Sequence, residues 1–192
     1  MEQLFIDKTF DKSDFKEKLL AKGEYENCVF TNCDLSSADL SEIIFVDCEF
    51  VDCNLSLLKL SQTVFRDVKF KGCKMLGLRF DDCNALGLAF NFENCTLNHS
   101  SFYHTKLKKI NFKNTELKEV DFTDCDLTSS VFEKCDLTDS KFENTILEKA
   151  DLRTSLNYSI DPEMNKIKKA KFSLSEIAGL LVKYNIEIDR HN

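Results

Sequence analysis

The chain has few of the features that mark disordered, membrane-spanning or nucleic-acid-binding proteins. Its 192 residues include only 5 glycines and 1 proline, which is too few for a disordered or linker-rich chain. No stretch of 18 consecutive apolar residues occurs, so no membrane span is predicted. The net charge of −7 argues against a protein that binds nucleic acid directly through a basic surface. The length of the chain is sufficient for one domain or one short array of repeats.

Motifs of the common enzyme classes and of export are missing as well. The sequence contains no HExxH, GxxxxGK[ST], GxGxxG or GxSxG segment, so we predict no enzyme, no catalytic residue and no cofactor. His99 and His104 fall at outward positions, where solvated side chains are expected rather than a metal pair. The first 15 residues mix charged and apolar residues, unlike a signal peptide. Without export, nine cysteines indicate free thiols in a reducing compartment, and we expect a cytoplasmic protein.

A period of five residues runs through most of the chain. Large apolar residues recur at every fifth position from Tyr25 to Ala85 and, after a shift of two, from Leu97 to Leu152. Two positions after them, Asn, Asp and Gly recur, and these residues tolerate the backbone angles of tight turns. Two positions before them lie small residues. All nine cysteines fall at this small-residue position: Cys28, Cys33, Cys48, Cys53, Cys73, Cys83, Cys95, Cys125 and Cys135.

Neither an α-helix nor a lone strand explains this period, because their side-chain repeats are 3.6 and 2.0 residues. Five residues with two inward positions and one turn position describe a short extended segment followed by a corner. Four such segments close a square, and the chain then climbs by one strand spacing, about 4.8 Å. The sequence therefore predicts an all-β solenoid, a quadrilateral β-helix in which each coil is stabilised by its neighbours.

Residues one coil apart are predicted to stack in inward columns. One column contains Phe30, Phe50 and Phe70, and it continues through Phe112 and Phe132 if a two-residue bulge lies near Phe90–Phe92. Another column contains Cys33, Cys53, Cys73, Cys95 and Cys135. Their spacing is within the range of a disulfide. Parallel side chains point the same way, however, so we expect buried, unreactive thiols that act as small inward residues.

Segments such as SSADLSE, NCDLSSADL and DCDLTSS resemble the pentapeptide-repeat family, and the resemblance extends from about Tyr25 to Leu152. It implies a right-handed quadrilateral β-helix without catalytic residues. The length, the two lobes and the terminal helix resemble the Qnr- and MfpA-like branch. Members of that branch bind DNA gyrase or topoisomerase IV as DNA mimics and protect them from quinolones, which implies such a partner here. Several of them carry long projecting loops, whereas this chain has only the slip near Phe90 and a bulge near Pro162.

The pattern divides the chain into four segments. Residues 1–24 are predicted to form an imperfect N-terminal coil or cap, since Gln3, Lys8 and Lys18 stand at small-residue positions. Residues 25–90 and 91–172 form a first and a second lobe of the solenoid. In residues 173–192, Ser173 and Glu176 fit a capping box for a short C-terminal α-helix, followed by a short strand. This segment is expected to plug the last coil or to form a homodimer contact through Leu174, Ile177, Ala178, Leu181, Tyr184, Ile186 and Ile188.

Charge is distributed unevenly along the chain. Eight acids and no Lys or Arg lie between Glu24 and Leu58, and eleven acids and four Lys lie between Glu116 and Asp151. A basic belt separates them: Lys59, Arg66, Lys69, Lys71, Lys74, Arg79, Lys106, Lys108, Lys109 and Lys113.

A rod with regularly spaced carboxylates presents negative charge at intervals comparable to those of duplex phosphates. The predicted partner-binding acidic face consists of Asp34, Asp39, Glu49, Asp121, Asp126, Asp136 and Asp151. Two alternatives remain open: the charge serves only solubility, or the protein is a general interaction scaffold without topoisomerase activity. An outward apolar patch of Ile44, Val46 and Val64 is a second candidate partner surface.

Overall fold

The fold is known from a computed structural model that describes residues 3–12, 14–15 and 20–189. Lys18 of the predicted N-terminal coil, and residues 190–192 of the predicted C-terminal segment, lie outside the described residues. The strands in the described part are β1 (Gln3–Ile6), β2 (Thr9–Asp11), β3 (Gly23–Glu26), β4 (Val29–Thr31), β5 (Ile44–Val46), β6 (Glu49–Val51), β7 (Val64–Arg66), β8 (Val68–Lys71), β9 (Phe90–Glu93), β10 (Asn111–Lys113) and β11 (Val131–Glu133).

Each strand pairs in parallel with a strand of the adjacent coil. One sheet has the order β1-β3-β5-β7, and the other has the order β2-β4-β6-β8-β9-β10-β11. Phe30 pairs with Phe50, so the register advances by one twenty-residue coil. Single bridges with the same offset, such as Asp34 with Asn54, hold the remaining sides together. The predicted β-solenoid is confirmed.

The corners recur every five residues and use left-handed backbone. The φ angle is 50° at Asn27, 51° at Asp47 and 58° at Leu57. This conformation costs a residue other than glycine about 1–2 kcal/mol. It is held because the corner N–H groups bond to the next coil, as Asn27 N does to Val46 O at 3.0 Å. Of the predicted corner residues only Asp82 departs from the pattern, since a short 3-10 helix, Phe80–Asp82, replaces its corner.

The interior is filled by continuous columns of side chains. Phe30, Phe50, Phe70, Phe112 and Phe132 are at most 1% exposed. Phe92 joins the two parts of this column, because its ring stacks on Phe70 and on Phe112 with centroid distances of 5.3 Å in both cases. Stacked aromatic pairs contribute about 0.5–1.5 kcal/mol each beyond area burial.

The two-residue slip lies in residues 85–89, just before Phe90. Asn84 N still bonds to Thr63 O in the ordinary register, whereas Val68 pairs with Phe90, two residues further on than the coil repeat requires. Ala85 was predicted to point inward and is exposed, so that prediction is wrong. The loop therefore turns one predicted inward position out of this coil. The ring of Phe90 occupies the space instead, at 5.1 Å from Phe80 and 6.1 Å from Phe65.

The predicted C-terminal α-helix is wrong. Ile177–Leu180 and Val182–Tyr184 form separate short 3-10 helices, and the described residues from Asn185 to Asp189 contain no strand. The capping box does not form either, because Ser173 Oγ lies 3.0 Å from Ser175 Oγ. No helix in the described part of the chain is long and apolar enough to cross a bilayer.

Close packing against the last coil accounts for the missing helix. Ile160 N donates to Gly179 O at 2.9 Å, and a Cβ atom on Gly179 would lie 2.2 Å from Tyr158 O. Glycine inside a helix costs about 1 kcal/mol relative to alanine. A helix of about 12 residues is marginal unless one face is packed. The segment therefore follows the end of the solenoid instead of forming regular helical turns.

Candidate functional site

The seven predicted acids do not form a single face. Bridges between coils place Asp34 and Asp136 in one column, with Asn54, Lys74, Thr96 and Glu116 between them. Asp39 and Asp121 lie on a second side of the coil, Glu49 and Asp151 on a third, and Asp126 on the fourth. The carboxylates therefore surround the solenoid, as charge surrounds a duplex. Their role in binding a partner stays a prediction.

Six of these acids support the local backbone. Each Asp accepts a hydrogen bond from the N–H group two residues later, for example Asp34 from Ser36 at 3.1 Å and Asp121 from Thr123 at 2.9 Å. The donors to the other four are Ser41, Thr128, Thr138 and Arg153. Asp is favoured at such turns because its short side chain reaches this N–H group. The sequence pattern alone did not reveal this second role.

Five of the seven acids also form ion pairs. The pairs are Asp39–Lys22, Glu49–Lys71, Asp126–Lys108, Asp136–Lys118, and Asp151 with Arg153 and Lys171. Asp34 and Asp121 form none in the described part of the chain.

Hydrogen bonds keep several of these carboxylates ionised. The bond from Arg153 lowers the pKa of Asp151 to about 2, against the opposing effect of burial. Burial raises the pKa of Asp136, but hydrogen bonds from Asn157, Thr138 and Lys118 outweigh it and hold the value at about 2. These groups therefore carry negative charge throughout the physiological range.

An acidic groove that the sequence analysis did not single out lies along one corner of the N-terminal lobe. Its volume is about 680 Å³, and its lining includes Asp7, Glu26, Asn27, Asp47 and Asp67. Four of these occupy the same corner position in successive coils, with φ angles between 50° and 54°. Their spacing of twenty residues was the signal in the sequence that could have identified them.

The cysteines lie inside the solenoid as predicted, and all nine are free and buried. Seven of them do more than fill space, since their thiols contact a carbonyl oxygen of the coil below. Cys48 Sγ lies 3.2 Å from Tyr25 O, and Cys53 Sγ lies 3.4 Å from Phe30 O. Burial raises the pKa of Cys48 and of Cys135 to about 12, so these thiols are protonated and unreactive at neutral pH.

The apolar patch and the histidines are less prominent than the sequence suggested. Ile44 and Val46 are half-buried, while Val64 is only 7% exposed. His99 Nδ1 lies 3.2 Å from Glu119 Oε2 on the surface. Among the described residues, no three His, Cys, Asp or Glu side chains are arranged to hold a metal ion.

The C-terminal segment contacts the last coil. Leu180 and Phe172 pack against the core, and Lys183 Nζ lies 2.7 Å from Asp161 Oδ1 and 2.6 Å from Glu163 Oε2. The predicted contact residues Leu174, Ile177, Tyr184, Ile186 and Ile188 are exposed, and Ala178 and Leu181 are half-buried. In residues 173–189 no α-helix is available to carry the predicted dimer contact.

One comparison with a solved structure supports the same fold. A trypsin-treated variant of QnrB1, described as a plasmid-mediated fluoroquinolone resistance protein, superposes with a TM-score of 0.60 at 16% identity, covering 99% of this chain and 100% of that one. Full-length QnrB1 has a TM-score of 0.48 at 19% identity, covering 95% and 97%. HetL from the cyanobacterium Nostoc sp. strain PCC 7120, a pentapeptide-repeat protein involved in heterocyst differentiation regulation, has a TM-score of 0.37 at 15% identity, covering 88% and 85%.

Sequence comparisons agree with this result. No curated protein matches the chain significantly. A family model described as the pentapeptide repeat region matches residues 24–91 and 80–152, which is more than half of the chain. With the twenty-residue coils, the left-handed corners and the inward cysteines, this match shows that the chain belongs to the pentapeptide-repeat family.

Proposed function

We propose that the protein is non-catalytic and binds a type II topoisomerase, DNA gyrase or topoisomerase IV, by presenting an acidic rod where that enzyme binds duplex DNA. The compartment that we propose is the reducing cytoplasm, in keeping with nine free thiols. QnrB1, which has the same fold, is described as a fluoroquinolone resistance protein, and the proposal extends such a role to this chain.

The charge density of the first lobe carries the proposal. The eight acids between Glu24 and Leu58 occupy less than two coils, or about 8 Å of the axis at about 4.8 Å per coil. Two of them, Asp39 and Glu49, pair with Lys22 and Lys71. The six others form no ion pair among the described residues, which leaves about one charge per 1.4 Å, against about one per 1.7 Å in B-DNA.

The basic belt limits where such binding can occur. Residues 59–113 contain ten Lys and Arg and only four acids, so the middle of the rod has the wrong sign for a duplex mimic. The acidic groove begins on the N-terminal side of this belt and overlaps its start, since Asp67 and Lys69 also line it. We therefore assign the contact to the first lobe, with the second acidic stretch as a separate surface.

A supercoiling assay with purified gyrase, with and without ciprofloxacin, tests the proposal. The matched variant is Asp34→Lys/Asp39→Lys/Glu49→Lys. Lysine fits each of these columns, because Lys59 and Lys69 already occupy two of them in the next coil and Lys74 occupies the third two coils away. The native protein should protect supercoiling or inhibit it, and the variant should lose at least tenfold in effect.

The control reverses charge in the opposite direction, with Lys59→Asp, Lys69→Glu and Lys74→Asp. It should retain or increase the effect on gyrase. An inert native protein would favour the alternative of an interaction scaffold without topoisomerase activity. Protection that survives the lysine substitutions would show that Asp34, Asp39 and Glu49 are not its basis.

Self-association through the C-terminal segment is a second proposal, now without a helix. Leu174 is 88% exposed, Val182 60% and Ile186 55%, an unusual density of exposed apolar side chains in so short a segment. Light scattering should report a dimer that Val182→Glu/Ile186→Glu converts to a monomer. A native protein that is monomeric at high concentration would refute this proposal.

A further inference from the structure

A pocket lies where the loop of residues 85–89 leaves the coil. Its volume is about 310 Å³, at the lower end of the range for small-molecule sites, about 300–1,000 Å³. The lining residues are Phe80, Asp81, Cys83, Ala85, Leu88, Tyr103, His104, Thr105 and Lys106. The pocket is separate from the acidic groove, and nothing in the proposed function uses it.

Asp81, one of the lining residues, has a carboxylate oxygen that lacks a hydrogen-bond donor. The Asp81 side chain is only 10% exposed. Its Oδ2 accepts a bond from Arg79 Nη2 at 2.6 Å, but its Oδ1 is buried and has no partner among the described residues. Buried polar atoms are almost always paired. The unpaired oxygen points to an N–H donor supplied from outside the chain.

Lys106 places a positive charge at the same pocket. Lys106 forms no ion pair in the part of the chain that the structure describes, unlike Lys108 two residues later, which pairs with Asp126 at 3.3 Å. Ala85 and Leu88 supply apolar surface, and the Tyr103 ring, 46% exposed, offers an aromatic face. An aromatic face favours both an apolar ring and a nearby cation.

We propose that this pocket binds a small zwitterion with an apolar body, of the class of the aromatic α-amino acids. The ammonium group donates to Asp81, the carboxylate pairs with Lys106, and the apolar side chain lies against Leu88 and Tyr103. A cation alone would leave Lys106 without a counter-charge, and an anion alone would leave Asp81 Oδ1 without a donor.

Cys83 provides a native reporter of occupancy. It is 7% exposed, whereas the other eight cysteines are at most 2% exposed, and of the nine it alone lines this pocket. The other eight thiols each contact a carbonyl or hydroxyl oxygen, and Cys83 has no such bond among the described residues. We expect iodoacetamide to modify Cys83 before the others, and a bound ligand to slow that reaction.

The test is an NMR titration of the ¹⁵N-labelled protein with three probes. The second and third probes each lack one of the two charged groups of the first. L-Phenylalanine carries both groups, phenethylamine lacks the carboxylate, and 3-phenylpropionate lacks the ammonium. Phenylalanine should shift the amides of the loop and of Tyr103 saturably, with millimolar or tighter affinity for a ligand of this size. Each of the other probes should bind about tenfold more weakly.

Variants identify the two contacts. Asp81→Asn should weaken the binding of phenylalanine about tenfold and leave that of 3-phenylpropionate unchanged. Lys106→Gln should weaken the binding of phenylalanine about tenfold and leave that of phenethylamine unchanged. The matched control is Glu143→Gln, since Glu143 occupies the same column three coils later and lies outside the pocket. This control should change the affinity of none of the three probes.

Several results would overturn the proposal. These are the absence of saturable shifts up to the solubility limit of phenylalanine, equal binding of all three probes, and shifts confined to other parts of the solenoid. A Cys83 alkylation rate that saturating phenylalanine leaves unchanged would also contradict it. The probe series uses the native protein, so it tests the proposed ligand class even if Asp81→Asn fails to fold.

Discussion

Ser130 tests how the interior of the solenoid is held together. Small inward hydroxyls normally donate to a carbonyl of the coil below, as Thr63 Oγ1 does to Leu40 O at 2.8 Å and Thr145 Oγ1 to Phe122 O at 2.8 Å. Ser130 occupies an equivalent position and is fully buried. Its Oγ has no hydrogen-bond partner among the described residues.

The effect of an alanine substitution on the free energy of unfolding should therefore differ in sign between two buried serines, Ser130 and Ser140. An unpaired buried hydroxyl carries a desolvation cost of about 1–3 kcal/mol, and Ser130→Ala removes that cost without breaking a bond. We expect the free energy of unfolding to rise by about 1 kcal/mol. Ser140 is also buried, but its Oγ donates to Leu117 O. Ser140→Ala leaves that oxygen unpaired and should lower the free energy of unfolding by about 1–3 kcal/mol.

Urea denaturation of the native protein, both single variants and the double variant is the assay. The two side chains point inward from different sides of the coil, so their effects should add to within about 0.5 kcal/mol. A decrease of 1 kcal/mol or more for Ser130→Ala would refute the reasoning, because it would mean that the hydroxyl has a partner, such as an internal water. Equal effects for the two serines would refute it as well.

Three further predictions follow from other parts of the molecule. Gly179→Ala should detach the C-terminal segment, because the added Cβ would lie 2.2 Å from Tyr158 O. Limited proteolysis should then cleave after the last coil while the solenoid stays intact. Protease resistance equal to that of the native protein would contradict this. Native thiol titration should leave at least eight of the nine cysteines unreacted, and all nine should react in denaturant; rapid native reaction of most of them would disprove the inward assignment. The pKa values of Asp136 and Asp151 are lowered to about 2 from 3.8, so their stabilisation is present above pH 3.8 and is lost as the pH falls towards 2. Asp136→Asn should therefore destabilise the protein near neutral pH and have little effect near pH 2, and an equal effect at both pH values would contradict this.

The repeat itself was predictable because every position of the pentad is sampled some twenty-five times. The inward thiols, the Phe30–Phe50–Phe70 column and the corners at Asn27 and Asp47 all follow from a side-chain period that no helix or lone strand shares. An error at one pentad changes little when its neighbours impose the register. Prediction was therefore reliable where the pattern was redundant.

Prediction failed where one local contact determines the structure. Nothing in the period indicates that Ala85 turns outward while Phe90 fills the interior, since that depends on how the loop rejoins the coil. The apolar stripe of the C-terminal segment fits a helix, yet the approach of Gly179 to Tyr158 dictates another path. The acids were grouped as one face, although a period of five places successive acids on successive sides of the square.

The double role of the acids affects how a partner could use them. Pairs such as Lys118–Asp136 and Lys171–Asp151 join neighbouring coils, and exposed pairs of this kind contribute only about 0–1 kcal/mol each. A basic partner that replaced these lysines would therefore lose little by breaking them. The hydrogen bond from the N–H group two residues later would remain, because it uses one carboxylate oxygen while the lysine pairs with the other. The corner geometry thus both stabilises the coil and orients its carboxylates. Because these carboxylates are already positioned before a partner binds, ordering them on binding costs little entropy.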